Sequence, residues 1–121
     1  EWGPCPPGPL AGPGCQMAVL EGNPKTEQLF TFRMRTTEPF VLPSHTQPRN
    51  ERVTVIEGAL HVGGGVTVDK SASTRFEAGD YYVHRAGAHH VVSSDEPPTI
   101  QLTGIGPWAI HPVKKHAAAT D

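Results

Sequence analysis

The stretch Ser44-His45-Thr46-Gln47-Pro48-Arg49-Asn50-Glu51-Arg52-Val53-Thr54-Val55-Ile56-Glu57-Gly58 concentrates metal-ligand side chains just ahead of a β-branched run that ends at a glycine. His45, Gln47 and Glu51 are spaced i, i+2 and i+6. In an extended segment, residues an even number apart point to the same face, so these three are predicted to face one way. A second strand-like stretch, Gly79-Asp80-Tyr81-Tyr82-Val83-His84-Arg85-Ala86-Gly87-Ala88-His89-His90, closes with an Ala-Gly-Ala turn and a histidine pair. It brings a fourth donor. Imidazole, carboxylate and amide oxygen together suit a divalent first-row metal, and affinity order does not choose among Fe, Mn, Ni and Zn.

Outward from these stretches, the chain reads as short strands and turns. Gln16 to Glu21 and Gln28 to Arg35 alternate apolar and polar residues on either side of the turn signal Gly22-Asn23-Pro24-Lys25. Phe30, Phe32 and Met34 share one face of the second strand, and a period-2 stripe of this kind is a core face. Phe40-Val41-Leu42-Pro43 leads into the first donor stretch. Arg52 to Ile56 forms a strand that turns at Glu57-Gly58 and returns over Ala59 to Val62. Gly63-Gly64-Gly65 is expected to break that strand, Val66 to Asp69 to resume it, and Lys70 to Thr74 to form a polar loop. Tyr81 to His84, Val91-Val92 and Thr99 to Ile105 complete the set, and Gly106-Pro107-Trp108-Ala109-Ile110 closes the domain. Many short strands joined by Gly/Pro turns predict an all-β barrel or double-sheet sandwich. Residues 1–16 are expected to form an extended Pro/Gly-rich N-terminal arm, 17–112 the barrel and 113–121 a frayed tail.

The two donor stretches resemble the paired motifs of the cupin superfamily. The first cupin motif, Gly-x5-His-x-His-x3 or x4-Glu-x6-Gly, is matched by His45-x-Gln47-x3-Glu51-x6-Gly58. The second, Gly-x5-Pro-x-Gly-x2-His-x3-Asn, is matched by Gly79-x5-Arg85-x-Gly87-x2-His90, with Arg85 for Pro and Ser94 for Asn. Trp2, Ala18-Val19-Leu20-Glu21-Gly22, Glu51 to Val55 and Gly104-Ile105-Gly106-Pro107-Trp108 look like a group of small single-domain bacterial cupins with no common assigned reaction. The resemblance implies a cupin double-stranded β-helix, a jelly-roll barrel. It also implies His45, Glu51 and His90 as metal ligands, with Gln47 at the fourth position as a ligand or as a hydrogen-bond donor to bound water or substrate. Two imidazoles and a carboxylate are the ligand set of non-haem iron facial triads. Dioxygenase, decarboxylase, lyase and isomerase chemistry all occur on this fold, so the resemblance implies a metal-dependent enzyme acting on a small organic substrate, with oxidoreductase among the classes open to it. A non-catalytic binding or sensor cupin is the alternative, because Gln47 stands where the motif has a second His.

Composition bounds these readings. A chain of 121 residues is long enough for one core, and 36% hydrophobic residues with 13 Gly and 13 Pro favours short strands over helices. A net charge of −2 with scattered basic residues predicts neither nucleic-acid nor membrane binding. No window approaches a membrane span or a signal-peptide core, and starting at Glu1 reads as a fragment or a processed product. Cys5 and Cys15 lie in the arm. Bonded, they imply an exported or periplasmic protein; as free thiols, a cytoplasmic one. Exposed strand edges predict a homodimer, which light scattering at micromolar concentration would test.

The remaining histidines and polar residues are ranked by strand parity. His89 neighbours His90 and is expected on the opposite, outer face. His84 and His61 lie in strands and are candidate catalytic or ligand-orienting residues, or ordinary hydrogen-bonded barrel histidines. His111 and His116 are expected in solvent. Tyr82, Gln101 and Arg85 are candidate substrate-binding residues, Arg85 as an anion clamp at the mouth. Gln101 and Thr103 share a face that is either buried against substrate or simply solvent-facing.

Overall fold

The structure, a computed structural model, describes residues 1–6, 14–64 and 73–112, and among them every regular element is a strand. In chain order these are β1 (Gly3–Pro4), β2 (Gln16–Glu21), β3 (Leu29–Arg35), β4 (Phe40–Thr46), β5 (Glu51–Glu57) and β6 (Ala59–Gly64). They continue as β7 (Thr74–Glu77), β8 (Tyr81–His84), β9 (His90–Ser94), β10 (Thr99–Ile105) and β11 (His111–Pro112). The expected strand over Val66–Asp69, most of the Lys70 loop, arm residues 7–13 and the tail with His116 lie outside the described residues.

Two antiparallel sheets form the fold: six strands in the order β1-β2-β3-β10-β5-β8, and five in the order β11-β4-β9-β6-β7. Register carries the sequence alternation into one core. Leu102 of β10 sits opposite Phe32 of β3 on one side and Val53 of β5 on the other. With Phe30 they form a buried cluster, against which Met17, Met34 and Trp108 pack. A second cluster, Val55, Leu60 and Val92, unites the two sheets, and Tyr82 and Ile100 pack against both clusters. Burying a side chain of this size contributes about 1.5–3 kcal/mol, so these two rows hold the sheets face to face.

The glycine run does not end β6 where expected. Gly63 pairs with Val91 and Gly64 with His90, both within the strand. Glycine permits a turn without requiring one, and neither residue has positive φ, so ladder pairing with β9 holds both extended. Gly58 is different. Its φ of +71° makes the β5–β6 turn, and a Cβ there would lie 2.5 Å from the Pro97 carbonyl oxygen and 2.7 Å from that of Glu96. Gly58→Ala is therefore expected to cost about 2–3 kcal/mol, read as a lower urea midpoint with an unchanged m-value.

At the N-terminus Gly3 and Pro4 pair with Met17 and Gln16 as a two-residue edge strand, where proline's missing N–H removes no central ladder bond. Of the two states open to the cysteines, the structure has the Cys5–Cys15 disulfide, with Cα atoms 5.5 Å apart. Trp2 lies under the Arg35 guanidinium at 3.8 Å. No helix among the described residues is long and apolar enough to cross a membrane.

Candidate functional site

The donor stretch is not one extended segment. β4 ends at Thr46, the chain bends through Pro48-Arg49, and β5 begins at Glu51 in the other sheet. Parity along a single strand is therefore not what brings His45 and Glu51 together. The sheet crossing does. The bend is held from outside, where the Gly87 N–H donates to the Gln47 carbonyl at 2.9 Å and the Ala86 N–H to Asn50 Oδ1 at 2.8 Å. Gly87, with φ +76°, makes that facing turn.

Two cross-strand pairs result, one on each sheet. His45 of β4 is opposite His90 of β9, and Glu51 of β5 is opposite His84 of β8. The pairs meet across the barrel. The rings of His84 and His90 stack with centroids 3.5 Å apart at 15°, and His45 meets His84 edge-on at 5.4 Å. His45, Gln47, Glu51 and His84 are all buried. The His45 Nδ1 lies 2.9 Å from the Pro43 carbonyl oxygen, so that nitrogen carries the proton and Nε2 keeps its lone pair.

Burial sets the charge state of the whole group. It pushes the Glu51 carboxyl up to about 8, against a smaller opposing pull from the Gln47 and Trp108 side chains. It pushes His84 down to about 3, with repulsion from the other two imidazoles adding to the effect and a backbone hydrogen bond to Ala88 opposing it. His45 and His90 are lowered by burial as well. In Tyr82, burial and then the Glu51 charge push the phenol up, so it stays protonated. Each group is thus held toward its neutral form. Gln47 Oε1, Glu51 Oε1, His84 Nε2, His90 Nδ1 and Trp108 Nε1 are buried with no hydrogen-bond partner. Five such atoms in one place are unusual, since buried polar groups are nearly always paired.

This polar group forms one end of a cavity of about 670 Å³ whose walls are otherwise mostly apolar, among them Met34, Phe40, Leu60, Ile100 and Leu102. Tyr82 lines it. Gln101 does not: Ile100 and Leu102 are the inward residues of β10, and Gln101 accepts from Arg33 Nε at 3.0 Å on the outer face. Its placement in the pocket is corrected, because alternation leaves only one of the two faces for the core. His61 is likewise on the outer face of β6, since its neighbours Leu60 and Val62 take the core side. Arg85 is exposed in the turn after β8 and is not among the cavity-lining residues. His89 and His111 are exposed.

This architecture is shared with known structures. No protein-family model matches the chain, and no curated protein does. Among solved structures, a candidate acetylacetone dioxygenase from Methylibium petroleiphilum superposes with a TM-score of 0.71 at 14% identity, covering 96% of this chain and 76% of the other. An RmlC-like cupin from Shewanella frigidimarina gives 0.61 at 16% identity, covering 88% and 83%. The chain has the cupin fold. A third neighbour, the polyketide cyclase RemF from Streptomyces resistomycificus, gives 0.67 at 13% identity, covering 84% and 75%.

The side chains gathered here fit a divalent ion in kind. Neutral imidazoles, a carboxylate and an amide oxygen are suitable donors, and four of the five unsatisfied atoms, all but the Trp108 N–H, are of the kind a cation would engage. They do not form a closed shell: no three His, Cys, Asp or Glu side chains among the described residues converge as an ion-holding group. Two residues of the site carry no ligand signal in the sequence. The signal of His84 is its position opposite Glu51, invisible until strands are paired. Trp108 lies in the closing segment of the domain. Its indole faces the Glu51 neighbourhood from outside any regular strand.

Proposed function

We propose that this cupin is a metal-dependent enzyme acting on a small, largely apolar organic molecule. The observation that carries the reading is the set of unpartnered buried atoms Gln47 Oε1, Glu51 Oε1 and His84 Nε2 lining a mostly apolar cavity, with His90 Nδ1 unpartnered just behind them. His45, Glu51 and His90 would hold the ion, with Gln47 as a weak fourth donor or as a hydrogen-bond donor to whatever is bound. A divalent ion held there supplies Lewis acidity or, for iron and manganese, a redox centre. The chain's own contributions are distinct. Ionised Glu51 balances the charge, the apolar wall excludes water from the reacting end, and the protonated Tyr82 phenol offers a hydrogen bond to an oxygenated substrate. With walls that are mostly apolar beyond the donor group, the cavity favours a substrate bearing an oxygenated head on an apolar body.

The neighbours' names, a candidate dioxygenase and a cyclase, are compatible with this class but do not select the reaction, because one fold hosts many chemistries. Gln47 in place of a second motif histidine supports the alternative of a non-catalytic binder. The disulfide favours an oxidising compartment for the chain. Elemental analysis of protein purified without chelators or a polyhistidine tag separates the two functions. Near-stoichiometric metal in the native chain, lost in His45→Ala, is the expected result. No metal in the native chain, and none on reconstitution, would leave the binder.

A further inference from the structure

Position 47 creates a deficit that the fold answers from another strand. The first donor stretch supplies one imidazole, His45, where Gln47 contributes only an amide, so with His90 the set holds two imidazoles. A third stands inside the group. His84 enters from β8 opposite Glu51, is 3% exposed, and lies with its ring 5.4 Å from His45 and 3.5 Å from His90. His84 lines the cavity together with His45, Gln47 and Glu51, whereas His90 does not. Its Nε2 has no partner, and the Ala88 backbone hydrogen bond therefore falls on Nδ1. A proton fixed on one nitrogen leaves a lone pair on the other. This is how a ligand histidine is usually prepared.

Resting on the metal reading above, we propose that His84 is a ligand of this centre, supplying from β8 the imidazole that position 47 lacks. His84 serves as an inner ligand rather than as a proton shuttle beside the ion. A stacked histidine pair with a buried, unpartnered nitrogen on each ring, His84 Nε2 and His90 Nδ1, is poor packing for a purely structural contact, since buried polar atoms otherwise find partners. Imidazole lone pairs lie in the ring plane, so taking up an ion requires the rings to turn out of the stack, and His84 Nε2 then gains the partner it lacks.

The native protein tests this without any variant. Loaded with Cu(II) and examined by pulsed EPR, it is expected to show three coordinated imidazoles. A count of two overturns the proposal while leaving the metal reading standing, and a native chain that takes up neither Cu(II) nor Co(II) overturns both. Variants provide a second test. His84→Ala is expected to weaken Co(II) binding, followed by its visible absorption, by 100-fold or more and to lower the Cu(II) imidazole count by one. Gln47→His placed in the His84→Ala chain is expected to restore the count and most of the affinity. A structural role for His84 predicts a lower melting temperature in His84→Ala with count and affinity unchanged, and that result rejects ligation. His84→Gln serves as the milder variant should the alanine chain not fold.

Discussion

Replacing Glu51 with glutamine is expected to stabilise the metal-free protein by about 3 kcal/mol at pH 7 and to remove its affinity for metal. Burial raises the folded-state carboxyl to about 8 from a reference of 4.5. Between those values the folded chain holds a proton that the unfolded chain has released. Stability is therefore fully present below about pH 4.5 and is lost as pH rises toward 8, by about 1.4 kcal/mol per unit at most. Glutamine has nothing to release, so the gap between variant and native chain opens from near zero at pH 4 to its full size on the alkaline side.

The histidines act in the opposite direction. His45, His84 and His90 are all lowered, so below pH 6.5 the unfolded chain binds protons that the folded chain does not, and stability falls as pH drops. Up to three imidazoles outweigh one carboxyl in that range. The metal-free native protein should therefore be most stable near pH 6.5, and Glu51→Gln should lose the alkaline decline while keeping the acid one. Urea titrations in chelator from pH 4 to 9 measure both limbs. A native stability that stays flat from pH 6.5 to 8 would mean that Glu51 is already ionised in the folded chain, and the burial argument would be wrong. A buried carboxyl that destabilises the empty protein is the trade-off expected of a functional site.

The second large effect is structural. Phe32 has no exposure, stacks on Phe30 with ring centroids 5.5 Å apart, and meets the Trp108 indole edge-on at 5.2 Å. Phe32→Ala is expected to cost about 3–5 kcal/mol, the lost transfer energy plus an incompletely collapsed cavity. Against a total of about 5–15 kcal/mol for an ordinary domain, that is a major share. Because Trp108 lies between this core row and Glu51, the same change should weaken metal binding without touching a donor. Urea midpoints give the first effect and Co(II) titration of the folded fraction the second. A loss under about 1 kcal/mol would show that the neighbours close over the site, and would shift the centre of the core to the Val55, Leu60 and Val92 cluster.

Much of this was legible from the residues alone, because strand identity is a local property. Gln16–Glu21, Tyr81–His84 and Thr99–Ile105 have the boundaries that alternation and turn signals predict, and Phe30 and Phe32 are buried as their shared face requires. The donor types were legible too, since side-chain chemistry is written directly in the sequence. What the chain could not state is which strands lie side by side. Period-2 alternation says that Gln101 and Ile100 face opposite ways but not which one looks inward, and β10's position between β3 and β5 settled that. His45 and Glu51 approach because the chain changes sheet between them, not because their spacing is even. His84 joins the group through pairing with Glu51, 33 positions away in sequence, and Gly64 stays in a strand only because β9 holds it. Register and sheet order are long-range outcomes of burying one face of every strand at once. The tertiary structure therefore gathered into one candidate site residues that the sequence could name but not place.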